Sequence, residues 1–527
     1  MTNQRRPALI FSLLLCAVLG AGFSLDRPRH TDLGGLGWSA AFSRLCGLLA
    51  REYPFGVWKG IDWTALEREL GPRVADAEAR HDRRAWYRAL RELVWSLRDG
   101  HAHLFGDDDG LERAEVGGSF GLEVVELDDG RVLAGRIAAG GPAARAGLRR
   151  GAEIVRWNGV AAARALAAVP VLWSERPPAT REGARLEQAR LLGRAPIGTR
   201  ATISFREPRA APGGGGVNMG GAAAAAGTGS TAAVDGDTAV VETRELVAVP
   251  APRDRPPCLR AAELLFGRTL ETRTLAPEGA GAAGAAGATG VAGAAGAPGI
   301  GYGRIRFELP TLRTPLPGRT LRRALARFAA DRLPGVIVDV RGNCGGLDAM
   351  VPPLVAPLLR EAMFYEMPGI YRREGGQDLH RGAGKFEPDP RQAITVLPRP
   401  PLYRGRIAVL IDGDTVSAGE ALPWLLEGLP GVAVIGLHAT HGSFGIGLKS
   451  VRMPGGLEVI FPHAQSLDAD GTVEVDADAG GRGGVEPDLR VPLTAAVVDR
   501  WYVRGEDVVL EEGARFVREG AAGSARR

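Results

Sequence analysis

Cysteine is scarce: Cys16, Cys46, Cys258 and Cys344 are the only four in a chain of 527 residues. Cys16 falls inside an apolar N-terminal segment, and the other three cannot all pair with one another. Their spacings fit no zinc-binding pattern, so buried or free thiols are expected for each. Excess charge is lacking too. The formal charge is only +4, from 65 basic and 61 acidic residues. No Lys/Arg cluster is interleaved with aromatics, which argues against nucleic acid as a partner. Internal functional repeats are also absent. Hydrophobic residues make up 45% and charged residues 24% of the chain, an ordinary balance for a soluble globular protein. The length suits two to four domains.

The N-terminus is distinctive. Arg5 and Arg6 precede "ALIFSLLLCAVLGAGF" at 8–23, an uncharged apolar stretch that ends in small residues. This is the layout of a secretory signal, and it predicts a periplasmic or secreted protein. Left uncleaved, the same segment would anchor the chain to a membrane. Leu15, where a small residue would be needed, argues against lipidation of Cys16.

Residues 1–25 are therefore set apart as signal or anchor, followed by a helical region over 26–113. In "RAWYRALRELVWSL", Trp86, Leu90, Leu93 and Leu97 share one face at helical spacing. That helix is expected to end at the turn Asp99-Gly100 in "RDGHAHLFG". From 114 to 206 the pattern becomes one of short strands, with "GGSFGLEVVEL", "GPAARAGLRRGAEIVRWNG" and "GTRATISF". This stretch resembles a PDZ domain. The resemblance implies strand addition by a bound peptide, with the amides of Ser119, Phe120 and Gly121 receiving a C-terminal carboxylate.

Residues 207–299 hold two Gly/Ala-rich insertions, 209–236 and 277–299, that lack bulky apolar side chains. Between them, "AVVETRELVAV" reads as a strand and is expected to join the sheet that follows. From 300 to 495 strands alternate with helices. "GYGRIRFEL", "GVIVDV" and "RIAVLI" are strands, and "RTLRRALARFAADRL" is an amphipathic helix with Leu321, Ala324, Leu325 and Phe328 inward. The pattern predicts an α/β domain whose functional groups gather at the carboxyl ends of the strands. Residues 496–527 are left as a C-terminal tail.

Two strand ends carry chemistry. "GVIVDV" leads into Arg341-Gly342-Asn343-Cys344-Gly345-Gly346, a glycine turn whose amides could hold an oxyanion. "RIAVLI" leads through Asp412-Gly413-Asp414-Thr415-Val416 to Ser417 at the start of a helix. Ser417-x-x-Glu420 fits a capping box, but a serine so placed can also be exposed as a nucleophile. The two roles are compatible.

Four motifs in order, "GVIVDVRGNCGG", "IAVLIDGDTVSAGEAL", "VIGLHATHGSFGIG" and "GGVEPDLRV", resemble those of the C-terminal processing and tricorn-core serine peptidases. The helical N-terminal region and the PDZ-like stretch before the sheet fit the same resemblance. It implies a ClpP/crotonase-like catalytic fold and a serine peptidase acting on unstructured protein C-termini or peptides, without cofactor or metal. Ser417 would be the nucleophile, with Gly345 or Gly346 and Ala418 supplying oxyanion amides.

The chain departs from the Ser-Lys members of that family. Ile446 of "SFGIG" stands where they carry lysine, and Lys449 has the opposite strand parity. The tricorn-like branch takes its base from the N-terminal helical region, which implies His101 in "SLRDGHAHLF". His441 is the rival base. His103 would face the other way, and a zinc site from His101/His103 or His438/His441 lacks a patterned third ligand. Gly100 replaces the serine that tricorn carries before its histidine, and Glu486 is the nearest candidate for the acidic partner. An inactive peptide-binding homologue on the same scaffold is the alternative function.

Overall fold

The computed structural model describes residues 31–107, 110–208, 240–251, 266–277, 290–291, 299–371 and 386–524. The expected N-terminal signal, nearly all of the Gly/Ala-rich stretches, Cys16 and Cys258 lie outside them. Among the described residues, no helix is long and apolar enough to cross a membrane.

The N-terminal region folds as helices α1 (Trp38–Glu52), α2 (Trp63–Ala79) and α3 (Arg83–Trp95). Asp62 and Asp82 cap the last two, accepting from the amides of Ala65 and Ala85 at 2.9 and 3.0 Å. Trp86, Leu90, Leu93 and Leu97 are all fully buried, as their spacing predicts. Part of the surface they cover comes from far along the chain, since Val451, Val459 and Phe461 share their core. Strand His103–Phe105 pairs antiparallel with Glu458–Phe461 and puts His103 opposite Ile460. The segment just after α3 is thereby fixed to the C-terminal half of the chain.

A second unit is an antiparallel sheet of strands Leu122–Glu126, Val132–Ile137, Glu153–Trp157, Arg200–Arg206 and Val241–Val247. The last of these corrects the expectation for "AVVETRELVAV". It joins the preceding sheet in unbroken register from Val241 opposite Arg206 to Val247 opposite Arg200. Alternation alone cannot say which of two neighbouring sheets an amphipathic strand will join. Helix α4 (Arg181–Leu192) lies against this unit. Its Arg185 holds Glu126 through two nitrogens, Nε at 2.9 Å.

The third unit has the α/β design the sequence predicts. Strands β1 (Ile300–Ile305), β2 (Gly335–Asp339), β3 (Arg406–Leu410), β4 (Val432–Gly436) and β5 (Leu489–Arg490) run parallel. Leu270–Pro277 adds antiparallel outside β1. Strands covered on both faces read as continuous apolar runs, and the side chains divide by parity. Val336, Val338 and Val409 pack with Leu321, Leu325 and Phe328 of α5 (Pro317–Ala330) and Leu422 of α6 (Ala418–Leu426). Ile337, Ala408 and Leu410 face the other way, onto Val508, Val509 and Val517 of α7 (Val508–Ser524). The stretch expected as a tail thus contains the helix that closes the second face of the sheet.

Candidate active site

The loops after β2 and β3 are stitched together before any chemistry is considered. Gly342 N donates to Asp412 Oδ1 at 2.9 Å, Thr415 Oγ1 to Val340 O at 2.9 Å, and Val416 N to Asn343 O at 3.0 Å. Asn343 is fully buried and works in both directions. Its Nδ2 donates to Glu308 Oε1 at 2.7 Å and its Oδ1 accepts from Gly345 N at 2.8 Å. Burial pushes the Glu308 carboxyl up to about 7 despite the Asn343 bond, so near neutrality much of it stays protonated.

Ser417 sits where these loops enter α6, with φ +60° and ψ −142°. A non-glycine residue in that region is strained and persists only where its surroundings impose it. Its amide is held twice, donating to Ser443 O at 2.9 Å and Glu420 Oε1 at 3.3 Å. Glu420 is the buried hub here. Burial raises it to about 7, against hydrogen bonds from Thr440, Gly442, Ser443 and Ser417. Its capping role is therefore real, and it also ties the helix start to the 440–443 loop. Glu420→Gln turns part of that acceptor into a donor facing donors. We expect a thermal unfolding loss of about 2 kcal/mol together with slower serine labelling; an unchanged midpoint would remove the hub role.

Gly345 lies directly beneath the serine. A Cβ added there would stand 2.5 Å from Ser417 Cβ and 2.9 Å from its Oγ, and the residue has φ +78°. Its own amide is taken by Asn343, so it cannot also receive an oxyanion in this arrangement. The amides of Gly346 and Ala418 make no hydrogen bond among the described residues, and Gly346 is exposed.

His101 reaches this region through the turn after α3. Gly100 N donates to Ser443 Oγ at 2.8 Å, so the histidine's neighbour and the Ser417 amide meet at one residue, Ser443. His101 Nδ1 lies 3.2 Å from Asp99 Oδ1, which also accepts the His101 amide at 2.9 Å. The other ring nitrogen, Nε2, is buried without a partner among the described residues. Asp99 is fully buried. Tyr53 OH donates to its Oδ2 at 2.8 Å, and Lys59 Nζ stands 3.8 Å away. Burial alone would raise this carboxyl, but Lys59 and the bonds from His101 outweigh it and hold it well below the usual carboxylate range. Asp99 is the residue that sequence reasoning missed. "RDGH" was legible only as a turn, although an acid two residues before a histidine can fold back onto its ring.

Glu486 does not supply that acid: it is 71% exposed and bonded to Arg490 at 3.0 Å. His441 is buried, with its Nδ1 3.0 Å from Ser443 Oγ, and burial lowers it to about 3. Its imidazole also explains Gly100, where a Cβ would stand 2.8 Å from His441 Cε1. A serine cannot fit there while His441 keeps its place. His103 sits in its strand, lowered by burial to about 4. His438 Nδ1 is bound to Glu182 at 3.0 Å. Ile446 exchanges backbone hydrogen bonds with Ala464, and Lys449 is committed to Glu52. No group of three or more His, Cys, Asp or Glu among the described residues is arranged to hold a metal ion.

Two further expectations need correction. Strand Gly118–Ser119 is paired on both sides, with Arg194–Ala195 and Val249–Pro250. Phe120 N donates to Gly193 O at 3.0 Å and Gly121 N to Ser119 Oγ at 3.0 Å. The chain itself occupies the amides expected to receive a carboxylate. Among the thiols, Cys46 is free and buried, pushed up to about 12 chiefly by that burial. Cys344, however, is disulfide-bonded rather than free.

Residues 306–491 match the model of Peptidase family S41. The solved structures that resemble the chain include mature CPAF, at 15% identity and a TM-score of 0.60, covering 92% of this chain and 98% of that one. Mature CPAF complexed with lactacystin is similar at 15% identity and a TM-score of 0.59, covering 92% and 99%. No curated protein matches the chain. The protein is a serine-type peptidase with a mixed α/β fold. The segment that matches the family model holds both strand-end loops.

Proposed function

We propose that the protein is an exported endopeptidase that cleaves unstructured protein tails or peptides through Ser417, His101 and Asp99. The observation that carries this reading is the state of His101. One ring nitrogen is held by a buried carboxylate, and the other is left without a partner. That is the arrangement a general base needs.

In this mechanism Ser417 Oγ attacks the peptide carbonyl carbon and its proton passes to His101 Nε2. Negative charge on the carbonyl oxygen is met by the amides of Gly346 and Ala418. When the intermediate collapses, the C–N bond breaks and His101 returns the proton to the leaving amine. An acyl ester remains on Ser417, and water activated by the same imidazole hydrolyses it. Asp99 keeps the imidazole in one tautomer and stabilises its charged form.

The PDZ-like unit serves here as a brace. This is supported by its committed loop amides and by α4, which holds Glu126 with Arg185 and Asp414, three residues before the nucleophile, with Arg190 at 2.8 Å. Export is supported by the N-terminal sequence and by the disulfide at Cys344, since such bonds persist in oxidising compartments. Purified protein should degrade an unfolded test protein such as reduced, alkylated casein. Ser417→Ala should abolish the cleavage while leaving the circular dichroism spectrum and unfolding midpoint in place. Undiminished cleavage by Ser417→Ala would refute the assignment. A folded wild type that binds but never cleaves would favour the inactive homologue.

A further inference from the structure

A cavity of about 320 Å³ is walled in part by the same two loops, through Gly342, Cys344, Gly413 and Asp414, and otherwise mainly by residues between 175 and 190, 267–268 and 304–307. Cys344 adjoins Gly345, the residue packed beneath Ser417, and Asp414 lies three residues before that serine, so the cavity and the serine share their loops. Five arginines and three carboxylates line the cavity. The excess positive charge can be traced. Arg190 is neutralised by Asp414, at 2.8 Å, and by Glu187. Glu175 and Arg176 adjoin in the chain and balance in formal charge. Arg306 has Glu271 at 3.6 Å.

Arg268 and Arg304 are left. Neither forms an ion pair among the described residues, and the Nε of Arg304 is buried with no hydrogen-bond partner. The carboxylate opposite Arg304 in the strand register, Asp339, is already taken. Arg341 holds it through Nε at 2.9 Å and Nη2 at 2.7 Å, and Tyr302 OH donates to it at 2.8 Å. A guanidinium with a buried, unmet N–H costs stability unless something else satisfies it. A carboxylate suits its fork geometry best.

We propose that this cavity is a substrate subsite that selects a carboxylate, held by Arg304 and Arg268. The inference rests on the peptidase reading for the word substrate, but the binding preference stands apart from catalysis. The carboxylate is either an Asp or Glu side chain or the free C-terminus of a short peptide, both of which offer the same two oxygens.

The test uses full-length Ser417→Ala protein, immobilised and exposed to a positional-scanning peptide library made in free-acid and amidated forms. Retained peptides are read by mass spectrometry. Carboxylate peptides should be enriched at least about tenfold over their Asn, Gln or amide counterparts, and the enrichment should fall as salt is raised. Enrichment of Asp or Glu whatever the terminus identifies a side chain as the ligand. Enrichment of free acids alone identifies the C-terminus. A further Arg304→Gln/Arg268→Gln change, shown to fold by its unfolding midpoint, should erase the preference. Equal retention of acids and amides, no retention at all, or a preference that survives in the arginine variant each overturn the proposal. Fluorophosphonate labelling of the wild type tests the peptidase reading separately, so the two failures can be told apart.

Discussion

Asp99→Asn should slow serine acylation by about 10³- to 10⁴-fold, the scale seen when the acid of a Ser-His-Asp triad becomes an amide. The cause is specific. Asp99 Oδ1 receives both the amide and Nδ1 of His101, which turns the imidazole and fixes its tautomer. An asparagine can offer Nδ2 in that place, a donor facing a donor, and it cannot stabilise the imidazolium. The loss should appear in kcat, with KM little changed, because the carboxylate acts on the transition state rather than on substrate binding. Stability should fall as well. Lys59 is buried 3.8 Å from Asp99 and 3.9 Å from Asp476, whose carboxyl burial raises well above its ordinary value, so Asp99 is its main ionised partner and losing it costs about 3 kcal/mol. Single-turnover kinetics on the folded fraction separate the two effects. A rate within tenfold of wild type would remove Asp99 from the mechanism.

Gly345→Ala should cost activity out of proportion to stability. The added methyl must share space with Ser417 Cβ and Oγ, at 2.5 and 2.9 Å, and with Val416 O at 2.9 Å. The serine cannot yield without leaving its strained conformation, because its amide is pinned to Ser443 and Glu420. Displacement of a reacting atom by about 1 Å costs on the order of 10²-fold in rate. The positive φ of an alanine adds about 1–2 kcal/mol of backbone strain. Measured kcat/KM should therefore fall at least about a hundredfold, while the unfolding free energy changes by about 1–3 kcal/mol. A large stability loss with an unchanged rate for the folded fraction would show that Gly345 serves folding alone.

Much of the scaffold was legible because burial leaves a periodic trace. The inward faces of α3 and α5 are the ones their spacing predicts, and the apolar strands β2 and β3 end in the two loops that build the site. The place of Ser417, after an apolar strand and at the start of a helix, was legible from the run and the capping box that follow one another in the sequence. What escaped the sequence depends on contacts between distant segments. Asp99 looks like any turn aspartate until the chain folds back on it. Gly100 looks like a missing hydroxyl until His441, hundreds of residues away, fills its place. The amides of Phe120 and Gly121 look available until Gly193 and Ser119 use them. The strand at Val241–Val247 has an apolar face that either neighbouring sheet could cover, and only pairing decides between them.

The measurement closest to the central claim is labelling by a serine-reactive fluorophosphonate, followed in wild type, Ser417→Ala and His101→Ala. The wild type should label on one residue, identified as Ser417 by mass spectrometry. Labelling should vanish in Ser417→Ala and fall by orders of magnitude in His101→Ala, with all three proteins folded. A wild type that stays unlabelled, or a His101→Ala variant that labels at the wild-type rate, would contradict a serine activated by that histidine.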